Sequence, residues 1–437
     1  MIEKANEKKS GDTLEGIGAA DAKERTAAKY VLSDLTVEEI TNSPAVDYKS
    51  DSVTRIILDD LNRAQYDKIK NLTIGELREK ILDNMISGDE ILQLAGGMSS
   101  EVIAALAKLM GNLDLMYVSR KLHVTATCNT TIGERGTFAA RLQPNHPTDD
   151  VKGVTASLLE GLSYGIGDAV IGLNPAIDTL KSTADILTLF SDVKTKLAVP
   201  TQICVLSHIT TQMQALRQGA PMDLCFQSIA GSEKALSSFG TDVDMLAEAN
   251  ELMAERGTAK GPNYLYFETG QGSELSSNSH NGADQLVMES RCYGLARHYK
   301  PFLVNTVVGF IGPEYIYDSK ELVRAALEDN FCGHMHGLPM GCDICYTNHM
   351  KADQNDCDSL LVMLASSGCH YVIGVPQSDD VMLMYQSTSY HDIAAVREML
   401  GLSPILPFRE WLESYGIWEN GRLGKNANGQ ILKINLH

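Results

Sequence analysis

The chain is poor in basic charge. Against 56 Asp and Glu it carries 37 Lys and Arg, a formal net charge of −19 over 437 residues. Sequence-independent nucleic-acid binding needs a basic surface, so that function class is excluded. The acidic excess reads as solubility, and an anionic ligand would need locally placed donors. A positively charged leader before an apolar run is lacking at Met1, and no stretch reaches the roughly 18 apolar residues of a membrane span. A protein neither secreted nor membrane-spanning, hence cytoplasmic, is expected. No P-loop occurs. The Gly165-x-Gly167 and Gly270-x-Gly272 pairs are too short for a dinucleotide fingerprint and read as turns. Low-complexity tracts and long flexible linkers are also missing. The nine cysteines, an odd number scattered through strand-like runs, fit buried free thiols in a reducing compartment rather than a disulfide framework.

What is present is a recurring unit. Short apolar runs alternate with helix-like stretches and end in polar side chains: Thr137–Gln143, Ala169–Asn174, Ile203–His208, Leu224–Gln227, Tyr264–Glu268, Phe302–Asn305, Met340–Asp343 and Tyr371–Val375. About eight such units, starting roughly 20 to 40 residues apart, predict a (β/α)8 TIM barrel in the α/β class. Its active site belongs at the C-terminal strand ends. The barrel spans 131–390. A helical region over 1–130 precedes it, with capping-box signatures at Thr36-Val37-Glu38-Glu39 and Thr73-Ile74-Gly75-Glu76. Ser99-Ser100-Glu101 opens a further helix with Val102, Ile103, Leu106 and Leu109 at helical spacing. This region has no clustered His, Cys or Gly signature and is assigned to packing or subunit contacts. A short helical extension, 391–437, follows the barrel: one helix over His391–Leu400 stopped by Gly401, another from Pro407, and a loosely held segment over Asn420–Gln430.

Side chains two apart on a strand point the same way, so Arg141 and Gln143 should enter the barrel mouth together. Glu268 and Asp343 each end an apolar run, where a carboxylate is partly desolvated and requires a cationic partner. Two carboxylates, one guanidinium and the amides of Gln143, Asn174 and Gln227 converging on one mouth suit a small cationic, hydroxylated ligand. The competing reading is a structural ion pair of Arg141 with Glu268 or Asp343. Cys342-x-x-Cys345 with His334, His336 and His349 raises a metal site, but no second C-x-x-C or H-x-x-x-H accompanies it. His208 at a strand end is a general base, a ligand or a hydrogen-bonded polar neighbour. The set binds well yet lacks a strong base beside a nucleophile, which points to a cofactor carrying the reaction.

On these residues the chain resembles the heavy (large) chain of ethanolamine ammonia-lyase. The likeness runs nearly end to end. Its densest passages are Asn129–Gly133, Ala140–Asn145, Gly167–Pro175, Phe226–Ile229 with Gly231–Lys234, Tyr266–Ser273, Val307–Tyr315, and Met340–Asp343 with Cys345–His349. The resemblance implies adenosylcobalamin as cofactor, its cobalt held by the corrin and no protein metal site, and conversion of ethanolamine to acetaldehyde and ammonia by a radical route. It places substrate contacts on Arg141, Gln143, Asn174, Glu268 and Asp343, with Glu268, Arg141 and Asp343 catalytic. Glu268 and Asp343 are expected to hold the ammonium, Arg141 and Asn174 the hydroxyl. Cofactor contacts fall on Asn174, Pro175, Gln227, Ser276 and Met382. No D-x-H-x-x-G stretch is present, which fits a base-on cofactor shared with a separate small (light) chain. A homo-oligomer of heavy chains and residence in a bacterial microcompartment are implied too. Family members carry a further segment ahead of the part matching Glu3-Lys4-Ala5-Asn6, so different N-terminal subunit contacts are expected. The alternatives are a metal-dependent TIM-barrel hydrolase or aldolase using His208, Asp343 and Cys345, and a non-catalytic scaffold.

Overall fold

A computed structural model describes residues 2–309, 311–428 and 432. Eight parallel strands form the centre: β1 (Ala139–Leu142), β2 (Val170–Leu173), β3 (Ile203–Val205), β4 (Cys225–Ser228), β5 (Leu265–Thr269), β6 (Leu303–Val308), β7 (Met340–Ile344) and β8 (Tyr371–Val375). All eight expected runs are strands, and β8 returns to pair with β1 through Tyr371 opposite Ala139 and Ile373 opposite Arg141. Every residue of β1, β2, β3, β7 and β8 is buried. That is why these segments read as near-continuous apolar runs rather than alternating ones, since helices cover the outer face and side chains fill the inner one.

At one place the ring is closed by a single backbone bond, Leu224 N–H to Ile203 O at 3.3 Å, and by side chains. Strands β3 and β4 are neighbours without a ladder between them. Side chains satisfy the orphaned backbone instead. Phe226 N–H donates to Gln212 Oε1 at 2.9 Å, and Gln212 Nε2 donates to Phe226 O at 2.7 Å and to Ser207 O at 2.6 Å. Lower down, Ile203 N–H donates to Asp223 Oδ2 at 3.0 Å. A buried backbone group without a partner costs about as much as a lost hydrogen bond, and these two side chains remove that cost along the seam.

The barrel helices start at side-chain caps: Asp150, Thr179, Ser232, Asp242, Asp284, Asp318 and Asp353 each accept from a backbone N–H in the first turn. Both predicted N-terminal capping boxes form, at Thr36 with Glu39 and at Thr73 with Glu76. The N-terminal helices pack on barrel helices Gln285–Tyr299 and Ser319–Met335 through buried ion pairs. Arg291 contacts Glu101 at 2.6 Å and Asp51 at 3.0 Å, Lys9 contacts Glu328 at 2.6 Å, and Lys108 pairs with Asp284. Beyond the barrel, helices Tyr390–Leu400 and Leu406–Ser414 form as expected, and Gly401 closes the first in a left-handed conformation.

The segment after Asn420 is held more tightly than its composition suggests. Trp418–Glu419 pairs with Arg422–Leu423, Trp418 is buried, and Asn426 Nδ2 donates to Tyr415 O at 2.8 Å. The glycines and asparagines there make a tight hairpin turn rather than a tail. Gly429 and Gln430 lie outside the described residues.

Candidate functional site

The strand ends carry one continuous hydrogen-bonded belt. From β1, the fully buried Arg141 sends Nη1 to Tyr266 Oη at 2.7 Å and Glu268 Oε1 at 3.0 Å, and Nη2 to Asn174 Oδ1 at 2.6 Å. Its passage across the barrel is open because Gly172 faces it: a Cβ there would lie 3.0 Å from Arg141 Nε. Tyr266 and Glu268 are two apart on β5, so one alternation delivers both, and Tyr266 Oη donates to Glu268 Oε1 at 3.0 Å. Asn305 of β6 stands opposite Glu268 and offers Nδ2 at 3.4 Å. Burial alone would push the Arg141 guanidinium down, but Tyr266 and Glu268 beside it hold it above its ordinary value. The Arg141–Glu268 ion pair of the competing reading does form, yet Glu268 keeps 14% of its side chain exposed.

The belt continues from Asn174. Its backbone N–H donates to Asn145 Oδ1 at 2.8 Å, and Asn145 Nδ2 donates to Asp380 Oδ2 at 2.7 Å. Gln143 Nε2 donates to the same Asp380 oxygen at 2.6 Å and to Tyr385 Oη at 3.0 Å. Tyr385 Oη donates in turn to Asp343 Oδ2 at 2.6 Å, and Ser387 Oγ to Asp343 Oδ1 at 2.7 Å. Burial pushes the Asp343 carboxyl up to about 6, while those two hydroxyls pull it the other way. Arg141, Asn174 and Glu268 are thus in direct contact, and Gln143 reaches Asp343 through Tyr385.

Sequence reasoning missed Asn145, Tyr266, Asp380, Tyr385 and Ser387. The two-residue period that joins Arg141 to Gln143 continues to Asn145, and the same period precedes Glu268 at Tyr266. Asp380, Tyr385 and Ser387 sit in the irregular segment after β8, where no periodicity marks them.

A cleft of about 440 Å³ opens beside Glu268, above the β3–β4 seam. Leu206, Phe226, Phe239 and Ile311 give it apolar walls, and Gln227, Ser207 and His208 give it polar edges. Its size and mixed lining fit the adenosyl part of the cofactor that the resemblance implies, a flat group with polar edges. The expected cofactor residues are spread around the mouth. Gln227 lines this cleft, accepting from Ile209 N–H at 3.1 Å, and Pro175 and Met382 are half-buried on the loops after β2 and β8. Ser276 is exposed, with its hydroxyl turned back to Ser273 O at 2.8 Å.

The metal constellation does not assemble. His334 meets His370 at 3.0 Å, His336 meets Ser100 at 3.0 Å, Cys345 Sγ donates to Val308 O at 2.9 Å, and His349 is exposed. Among the described residues no group of three or more His, Cys, Asp or Glu side chains is arranged to hold an ion. His208 is a hydrogen-bonded neighbour, its Nε2 3.1 Å from Phe239 O. All nine cysteines are buried and free.

The family described as "Ethanolamine ammonia lyase large subunit (EutB)" matches residues 1–426. The ethanolamine ammonia-lyase large subunits of Escherichia coli (strain K12) and Salmonella typhimurium (strain LT2) are each 53% identical over 432 residues, 99% of this chain and 95% of theirs. Among solved structures, a truncated 3-deoxy-D-arabino-heptulosonate 7-phosphate synthase from Thermotoga maritima overlays with a TM-score of 0.37 at 11% identity, over 64% of this chain and 94% of that one. With the family match over residues 1–426 and relatives 53% identical along 99% of its length, the chain belongs to the ethanolamine ammonia-lyase large-subunit family.

Proposed function

We propose that this chain is the catalytic subunit of an adenosylcobalamin-dependent ethanolamine ammonia-lyase, converting ethanolamine to acetaldehyde and ammonia. The observation that carries the reading is the Arg141–Glu268–Asn174 contact beside an open cleft at the C-terminal strand ends. When bound, adenosylcobalamin supplies a carbon-centred radical that takes hydrogen from the carbinol carbon and later returns it. Asn174, Pro175, Gln227, Ser276 and Met382 would hold it.

The chain's own residues bind, orient and exclude water. Glu268 Oε1 is occupied by Arg141, Tyr266 and Asn305, which fixes the carboxylate plane and leaves Oε2 for the substrate. Glu268 and Asp343 hold the ammonium by charge-assisted bonds, each worth about 1.5–3 kcal/mol. Asn174 Oδ1 is committed to Arg141, so its Nδ2 is turned toward the hydroxyl. Arg141 and Asn174 therefore take the hydroxyl oxygen as donors. Fixing both ends of a two-carbon substrate holds the carbinol hydrogen in one place and keeps the departing nitrogen beside carboxylates that stabilise it as ammonium.

A small chain completes the assembly. Ile177, Val381 and Met384 expose large apolar side chains on mouth loops, which supports a covering partner and the corrin face there. A homo-oligomer of heavy chains inside a bacterial microcompartment is the proposed setting. The metal-dependent hydrolase is not favoured, because its ligands do not gather. The test is acetaldehyde release from ethanolamine, in the dark, with this chain, its cognate small chain and adenosylcobalamin, leaving out each in turn. Product that requires all three is expected; product without cobalamin would overturn the reading.

A further inference from the structure

The segment between β8 and helix Tyr390–Leu400 puts one buried carboxylate against the substrate amides, and no motif announced it. Asp380 is 3% exposed and surrounded by donors. Its Oδ1 accepts from Met382 N–H at 3.0 Å and Leu383 N–H at 2.7 Å, and its Oδ2 from Asn145 Nδ2 at 2.7 Å and Gln143 Nε2 at 2.6 Å.

The direction of each bond is forced. A backbone N–H can only donate, so Asn174 N–H fixes Asn145 with its carbonyl toward Asn174 and its NH₂ toward Asp380. Backbone donors likewise make Oδ1 an acceptor. A carboxylate with every site receiving can face only the NH₂ end of Gln143, whose second N–H is taken by Tyr385 Oη. Gln143 Oε1 is then the one end of that amide left for a ligand.

We infer that Asp380 is a positioning residue that sets the polarity of the substrate subsite: it holds Gln143 with its carbonyl presented to the ligand, so that the subsite selects an ammonium group. An ammonium can only donate, and it needs an acceptor at that place. A hydroxyl can donate or accept and tolerates Gln143 in either orientation. Because Asp380 also caps the turn carrying Met382, the same carboxylate ties the cofactor loop to the substrate amides. This inference rests on the proposed amino-alcohol lyase reading.

The test compares ethanolamine as substrate with ethylene glycol, its hydroxyl analogue, as competitor in the reconstituted complex. In Asp380→Asn the new NH₂ no longer demands the donor end of Gln143, which is free to turn over. The preference for ethanolamine over glycol, taken as the ratio of glycol Ki to ethanolamine KM, is expected to fall by about tenfold or more, with kcat changed less. Asp380→Glu, which keeps a carboxylate, should retain part of the preference. Combining Asp380→Asn with Gln143→Met should add little to either alone, because both act through one amide. A general loosening weakens both ligands equally, so an unchanged ratio in Asp380→Asn overturns the inference. Should that variant fail to assemble, Gln143→Met reads the same prediction, and a preference kept there also overturns it. A wild-type complex that neither binds nor turns over ethanolamine overturns the functional reading, and this inference with it.

Discussion

At the scale of single residues, Asp343 is a belt carboxylate whose protonation is set by its surroundings. Burial raises it from the usual 3.8 to about 6. It is charged at neutral pH, and in the proposed role its hold on an ammonium is lost as the pH falls through about 6. The kcat/KM profile should therefore show an acid limb near pH 6 that is missing from the residual activity of Asp343→Asn; a limb that persists in the variant would remove Asp343 from that role. The linkage runs the other way for stability. A carboxyl raised in the folded state takes up its proton more readily there than in the unfolded chain, so between about 4 and 6 stability falls as pH rises. Above pH 6 the buried charge is a standing cost. Asp343→Asn removes it and should stabilise the fold at pH 8 by on the order of 1–3 kcal/mol, a gain that vanishes toward pH 4. Denaturant melts at the two pH values measure it, and a gain equal at both would contradict the assignment.

At the scale of elements, the barrel was legible because each strand is buried on both faces and ends in a polar residue. Arg141, Gln143, Asn174, Glu268 and Asp343 could be picked out from those ends. The seam between β3 and β4 could not, because a missing ladder leaves no mark in a strand's own apolar pattern; the partners that replace it, Gln212 and Asp223, lie outside the strands. Asp380, Tyr385 and Ser387 were illegible for a related reason. They act from an irregular segment whose shape is dictated by what it covers, with Gln377, Ser378 and Met384 all at positive φ. The seam carries its own prediction. Gln212→Ala strands the N–H and carbonyl of Phe226 and should cost about 2–4 kcal/mol. Urea unfolding measures this, and a loss below about 0.5 kcal/mol would mean that water substitutes for the amide.

At the scale of the whole molecule, buried charges bind the flanking helices to the barrel. Arg397, fully buried, contacts Asp168 at 2.9 Å and donates to Phe138 O at 2.7 Å and Gly165 O at 2.6 Å, and Asp168 also caps Ala140 and Ile405. One pair thus fixes the C-terminal extension under the start of β1, the strand that carries Arg141. Arg397→Met leaves Asp168 buried without its cation and should cost about 3–5 kcal/mol, read as a drop in the unfolding midpoint of the purified chain; an unchanged midpoint would show that the extension is not held by this pair.

In the proposed function the barrel presents Glu268 and its belt to an amino alcohol. The most direct test is Glu268→Gln in the fully assembled complex, measured as acetaldehyde release beside wild type with cobalamin binding and thermal unfolding followed in parallel. Turnover should fall by about a thousandfold or more while the variant still folds, assembles and binds cobalamin as wild type does. A variant that releases acetaldehyde at the wild-type rate would contradict the account.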